Sequence, residues 1–236
     1  MKEKDLINHA KTLLDNTLIF DEKAISAFAY EEIKSKKAIL EDVFLRFKNQ
    51  DKKAFFLFGS TGSGKTEFAV ALKKFYKIDF IEVDEIKRYC KYYNGQNSYL
   101  FEKASLEGVS IVMNTVLDKE YSFILDGKFF EFIYEALKKN YDVEINFVYR
   151  PLDIAIKSIE MLENTFYNEF INSINTVNNI KEKYSDIKVN FYDLHNDLIL
   201  KDINNLDEVI SKSDVMQNDI KLAIKRETKN ENRYIK

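Results

Sequence analysis

Gly59-Ser60-Thr61-Gly62-Ser63-Gly64-Lys65-Thr66 decides how the rest of the chain is read. The octapeptide fits the pattern G-x-x-x-x-G-K-[ST] at every position, and its neighbours stand in the order that this pattern requires. Ala54-Phe55-Phe56-Leu57-Phe58 before it is a short apolar run of buried-strand character. Glu67-Phe68-Ala69-Val70-Ala71-Leu72-Lys73-Lys74-Phe75 after it has helical spacing. Three of the chain's six glycines fall inside these eight residues, which argues against a chance match. A loop that wraps a polyphosphate turns its N–H groups inward and brings main chain close to the ligand, where side chains at Gly59, Gly62 and Gly64 would obstruct. Gly59 to Thr66 are therefore the expected nucleotide-binding residues. Lys65 is expected to place a point charge between the β- and γ-phosphates, and Thr66 to offer a hydroxyl to Mg²⁺. The implied ligands are ATP or GTP with Mg²⁺.

Outward from this loop, strands alternate with helices. Asp79-Phe80-Ile81-Glu82-Val83 reads as a second strand that delivers Asp84 to the crevice beside the loop, since ligands in open α/β sheets bind outside the carboxyl ends of strands. Asp84 is equally suited to N-cap the segment Glu85 to Cys90. Tyr92 to Ser98 is a polar turn, and a helix follows with Phe101, Ala104, Val109, Val112 and Val116 on one face. Gly108 in that helix costs about 1 kcal/mol against Ala, which implies close packing against a neighbour. Tyr121-Ser122-Phe123-Ile124-Leu125 is a third strand ending at Asp126-Gly127, either a Walker B acid for Mg²⁺ or a plain Asp-Gly turn. Val143 to Tyr149 and Ile187 to Tyr192 give a fourth and fifth strand, with Arg150 and the only proline, Pro151, closing the fourth. The expected architecture is α/β of the P-loop kinase type, a parallel five-stranded sheet sandwiched by helices. Residues 1–50 read as an N-terminal helical extension, 51–212 as the P-loop kinase domain and 213–236 as a polar, basic tail.

Composition narrows the function. The 236 residues carry a net charge of −3, so no global field draws the protein to nucleic acid or an anionic membrane. The single cysteine, Cys90, excludes an internal disulfide and suits a structural thiol. Neither a leader's apolar core nor a membrane-length apolar run is present in the sequence, and a cytoplasmic location is expected. His195 reads as a structural or solvated histidine.

Phe80 to Lys87, Tyr93 to Ser98, Phe123 to Gly127, Phe170 to Ser173, Val177 and Ile180-Lys181 together resemble the zeta-toxin family of P-loop kinases, in order and with similar spacing from about Phe55 to Asp193. The resemblance implies transfer of the γ-phosphate of ATP to a hydroxyl of UDP-N-acetylglucosamine, and a small antitoxin protein as partner. It makes Asp84 the general base, keeps Lys65 and Thr66 in their phosphate and metal roles, and assigns Mg²⁺ contact to Asp126 and substrate contact to Glu102. Asn97 belongs to the turn that would border the sugar-nucleotide site.

Two positions depart from the family pattern. Lys128 stands where the family has Thr after the acid-Gly pair, and the lid region Ala155 to Glu163 lacks the arginines that clamp the transferring phosphoryl group. Arg150, Lys157 and Lys128 are the candidate replacement cations, with Arg150 also readable as a structural strand-end residue. The sequence thus supports a phosphotransferase first. It leaves open a degenerate kinase fold that binds nucleotide or a partner protein without transfer, and more weakly a nucleotide-hydrolysing switch.

Overall fold

A computed structural model describes residues 22–127, 129–158 and 163–231. Its centre is a six-stranded sheet in the order β2-β3-β1-β4-β5-β6. The strands are β1 Lys53–Phe58, β2 Asp79–Ile81, β3 Phe123–Asp126, β4 Asp142–Tyr149, β5 Lys188–Asp193 and β6 Leu198–Leu200. The first five are parallel; β6 runs antiparallel to β5, with Phe191 opposite Leu200. β6 is an addition to the five strands expected. Its apolar run, Leu198-Ile199-Leu200, is only three residues long and largely exposed after a tight turn, too short to stand out as a strand.

Both faces of the central strands are buried, as a parallel sheet covered on each side requires. Alternation along β1 sends Ala54, Phe56 and Phe58 into one apolar cluster, and Phe55 and Leu57 into another. In β3, Phe123 and Leu125 join the first cluster while Ile124 joins the second. Helix α3 (Lys65–Tyr76) covers the second face through Ala69, Phe68 and Leu72. The first face is covered by α5 (Glu102–Asp118), α6 (Phe130–Lys138) and α8 (Glu163–Lys183).

The described part of the N-terminal extension forms α1 (Glu22–Ser35) and α2 (Lys37–Phe44), whose Ala29, Ile33, Leu40 and Phe44 belong to the main cluster. Residues 1–21 of that extension lie outside the described residues. A short helix, α4 (Val83–Lys87), is wedged against α5 at Gly108, where a Cβ would come 2.5 Å from Ile86 Cγ2 and 3.3 Å from Ile33 Cγ2. That contact accounts for the glycine inside the helix.

The C-terminal segment is not the solvated tail that its composition suggests. After the short helices α7 (Leu152–Ala155) and α9 (Leu206–Ser211), α10 (Asp214–Glu231) docks on α8 and buries Met216 and Ala223. Buried Asp219 accepts hydrogen bonds from Tyr149 Oη at 2.7 Å and Leu152 N at 3.0 Å, latching α10 to the corner after β4. Most of α10 is polar because only one stripe of it faces the protein, and the composition registers the other faces. No helix among the described residues is long and apolar enough to cross a membrane.

Candidate functional site

The loop between β1 and α3 lies at the carboxyl edge of the sheet, where β1 is flanked by β3 and β4. Its backbone conformation admits little besides glycine. Gly59 has φ of 136°, and a Cβ there would lie 2.1 Å from the carbonyl oxygen of Val148 on β4. Gly64, at φ of 96°, caps α3 and is covered by Leu194 and the Arg150 guanidinium. Ser60 and Ser63 are buried, and the Ser63 N–H donates to Ser60 O at 3.2 Å, closing the turn. Lys65 Nζ donates to the carbonyls of Gly59 at 3.1 Å and Ser60 at 2.9 Å, so its ammonium lies across the mouth of the loop. These are bonds that a phosphate oxygen can replace with stronger, charge-assisted ones.

Two adjoining clefts open at this edge. One, of about 300 Å³, is bounded by Gly62, Gly64, Glu67 and Arg150. The other, of about 390 Å³, is bounded by Val83, Leu106, Phe129, Glu169 and Ser173. Thr61, Lys65, Glu82, Asp84 and Asp126 line both. A phosphate chain on the loop side and an acceptor on the other would therefore meet at Lys65, with Asp84 and Asp126 beside it.

The carboxylates make this meeting place electronegative. Burial pushes the Asp126 carboxyl above its usual range; Lys65 opposes that shift, and Asp84 and Glu169 reinforce it. Glu82 is raised by burial first and then by Asp126, Glu85 and Asp84, against the hydrogen bond from Thr66. Thr66 Oγ1 donates to Glu82 Oε1 at 3.4 Å. The hydroxyl of Thr66 and the carboxylates of Glu82 and Asp126 are hard oxygen donors of the kind Mg²⁺ takes. Among the described residues no group of three or more His, Cys, Asp or Glu is gathered to hold a metal alone. The donor set fits an ion shared with phosphate oxygens and water, which is how Mg²⁺ is ordinarily held beside nucleotides.

The structure revises how Asp84 reaches the site. β2 ends at Ile81, two residues short of the strand expected, and Glu82 occupies the N-cap position of α4 without a side-chain capping bond. Asp84 is thus neither the strand-end residue nor the cap; it projects from the first turn of α4. Its side chain is 71% exposed, and Oδ1 accepts from Lys87 Nζ at 2.8 Å. Lys87, itself buried, donates also to Ser98 Oγ at 2.7 Å.

The remaining candidates fall unevenly. Arg150 lines the loop-side cleft and donates from Nη1 to Gly62 O at 3.4 Å. Asn97 spends its side chain on its own turn, accepting from Asn94 N and donating to Tyr92 O, and does not line either cleft. Glu102 is exposed at the start of α5, one turn before the cleft-lining Leu106. Lys157 is exposed and lines neither cleft. Lys128 lies outside the described residues, as do 159–162 of the lid region.

Glu82, Lys87, Glu169 and Ser173 were not singled out by the sequence reading. Glu169 Oε2 accepts from Thr61 Oγ1 at 2.6 Å, and Ser173 Oγ donates to Gly59 O at 3.5 Å, so α8 braces the loop from above. Glu169 and Ser173 are four apart on α8, which puts both on one face. Nothing in their local sequence says that this face meets a loop more than 100 residues earlier.

A solved structure from the PezAT chromosomal toxin–antitoxin system of Streptococcus pneumoniae superposes with a TM-score of 0.64 over 84% of this chain and 95% of that one, at 16% identity. The AvrRxo1-ORF1:AvrRxo1-ORF2 complex with ATP is more distant, with a TM-score of 0.45, 14% identity and coverage of 75% of this chain and 65% of that one. No curated protein matches in sequence. The first likeness supports the P-loop kinase-like sheet read from the sequence. The zeta toxin family model matches residues 36–217, from α2 through the start of α10, and on that evidence the protein belongs to the zeta toxin family.

Proposed function

We propose that the protein is a Mg²⁺-dependent phosphotransferase that moves the γ-phosphate of ATP or GTP to a hydroxyl of a small molecule, a UDP-activated amino sugar such as UDP-N-acetylglucosamine. The observation that carries this reading is the shared wall of the two clefts, where Lys65 and Asp84 face both sides. On the loop side, backbone N–H groups, the α3 N-terminus and Arg150 hold the phosphates. Lys65 leaves its carbonyl partners for the β- and γ-phosphate oxygens. Asp84 takes the proton of the acceptor hydroxyl, a role open to an exposed carboxylate with one oxygen unengaged. Thr66 with Asp126 or Glu82 would hold Mg²⁺, which supplies neutralisation of phosphate charge. Val83, Leu106 and Phe129 supply the apolar surface of the acceptor side. Membership of the family and the likeness to a structure from a toxin–antitoxin system support a toxin role with a small antitoxin protein as partner.

One observation favours the second reading, a fold that binds nucleotide or a protein partner without transfer. The wall of the cleft formed by α8 presents Glu169, an acid, where a phosphoryl clamp would be cationic. The test is incubation with ATP and Mg²⁺ over a panel of UDP-sugars and nucleosides, with products identified by mass. A phosphorylated UDP-amino sugar is expected. Nucleotide binding with no phosphorylated product would favour the second reading.

A further inference from the structure

We infer that Lys87 is a positioning residue for the Asp84 carboxylate and ties it to the segment that leads into the acceptor side of the cleft. The inference rests on the phosphotransferase reading above.

The starting point is an imbalance of burial within one ion pair. The Lys87 side chain is 8% exposed and that of Asp84 71%. A pair with so exposed a carboxylate contributes little to stability, and an i,i+3 pair on a helix adds only a few tenths of a kcal/mol. Burying an ammonium, by contrast, is unfavourable unless its protons are well bonded. Stability of the five-residue α4 therefore does not explain a lysine turned inward.

The geometry of the bonds gives the alternative. Lys87 Nζ holds Asp84 Oδ1 at 2.8 Å and leaves Oδ2 to accept from an incoming hydroxyl. The same ammonium holds Ser98 Oγ at 2.7 Å, at the start of the 3₁₀ turn Ser98–Phe101 that runs into α5. That helix carries Leu106 into the cleft. The base of the lysine is itself fixed, because its neighbour Ile86 is fully buried and sits against Gly108 of α5. One rigid cation thus sets the rotamer of the proton acceptor relative to the wall against which the acceptor molecule lies. Misplacing a reacting group by about 1 Å costs about 10²-fold in rate, so such a tether acts on turnover rather than on nucleotide affinity.

The experiment compares wild type with Lys87→Met, Lys87→Arg and Ser98→Ala in ATP- and Mg²⁺-dependent labelling of UDP-sugars and nucleosides, with nucleotide Kd and Tm measured on each. Lys87→Met is expected to lower kcat about 10²-fold while nucleotide Kd stays within about twofold. Lys87→Arg should recover part of the loss, and Ser98→Ala, which removes one charge-assisted hydrogen bond of the tether, should lose about tenfold. A folded Lys87→Met with kcat near that of wild type overturns the inference. If Lys87→Met does not fold, unchanged kcat in Ser98→Ala overturns it instead. Active wild type with unimpaired variants removes the Lys87 role alone, whereas wild type that labels no acceptor removes the phosphotransferase reading and this inference together.

Discussion

The loop and the α8 wall meet and line one cleft together, but they are specified in different ways. In the loop, function follows from backbone: Gly59 and Gly64 hold φ values closed to other residues, and their α-carbons are packed against Val148, Leu194 and Arg150. On α8, function depends on which side chains happen to face inward, and here those are Glu169 and Ser173. A backbone-built site tolerates almost no substitution yet keeps the same chemistry wherever it occurs. A side-chain wall keeps its position in the fold while its charge is free to change. The same cleft can therefore bind phosphates conventionally and still treat the acceptor or the transfer step in its own way.

The largest effect is expected from breaking the backbone-built half. Gly59→Ala forces a Cβ onto the Val148 carbonyl oxygen at a positive φ. It should destabilise the protein by about 3 kcal/mol, lower Tm by roughly 6–12 °C and abolish nucleotide binding. Calorimetric melting and nucleotide titration check this; a variant with native Tm and affinity would show that the loop is not held as described.

Arg150 belongs to the same half, but through a side chain. Arg150→Ala should reduce phosphate transfer by about 10²-fold, and Arg150→Lys should recover only part of it, because an ammonium cannot reproduce the planar fork. Equal rates for Arg150→Lys and wild type would make Arg150 a mere point charge.

On the α8 side, Glu169→Gln keeps a hydrogen-bond acceptor for Thr61 and removes one negative charge from the cleft. Nucleotide should bind about fivefold more tightly at low salt, the equivalent of about 1 kcal/mol of relieved repulsion, and the gain should shrink as salt is added. Weaker binding would mean that the brace matters through its charge.

The smallest effect concerns the latch that holds α10 beside that wall. Burial raises the Asp219 carboxyl above its ordinary value of 3.8. The folded state therefore binds this proton more readily than the unfolded one, and the contribution of Asp219 to stability is present below 3.8 and lost as pH rises through the raised value. Asp219→Asn lacks this titration. The Tm of wild type relative to Asp219→Asn should fall as pH rises above 3.8 and through the raised value. A gap that widens over that range would reverse the sign assigned to the group.

What could be read from the chain follows the same division. The octapeptide, the five parallel strands and the packed Gly108 were legible because each is a local pattern of spacing or conformation. Asp84 was legible as an acid near the site, but its element was not, since the apolar pattern runs through Val83 while the backbone already turns helical there. Glu82 sat inside a stretch read as strand, and Lys87 inside the segment that Asp84 was suited to cap. Glu169 and Ser173 act on a loop far earlier in the chain, and α10 shows mostly its solvent-facing residues; only the tertiary fold brings these together.

The central claim is that a phosphate cleft and an adjoining acceptor cleft meet at Lys65 and Asp84. The most direct measurement sets nucleotide affinity beside phosphate transfer for Lys65→Ala and Asp84→Asn, with ATP, Mg²⁺ and UDP-N-acetylglucosamine. Asp84→Asn should bind nucleotide as wild type does and lose about 10²-fold to 10⁴-fold in transfer, while Lys65→Ala should lose both. Undiminished transfer by Asp84→Asn, in a preparation where wild type is active, would contradict the account.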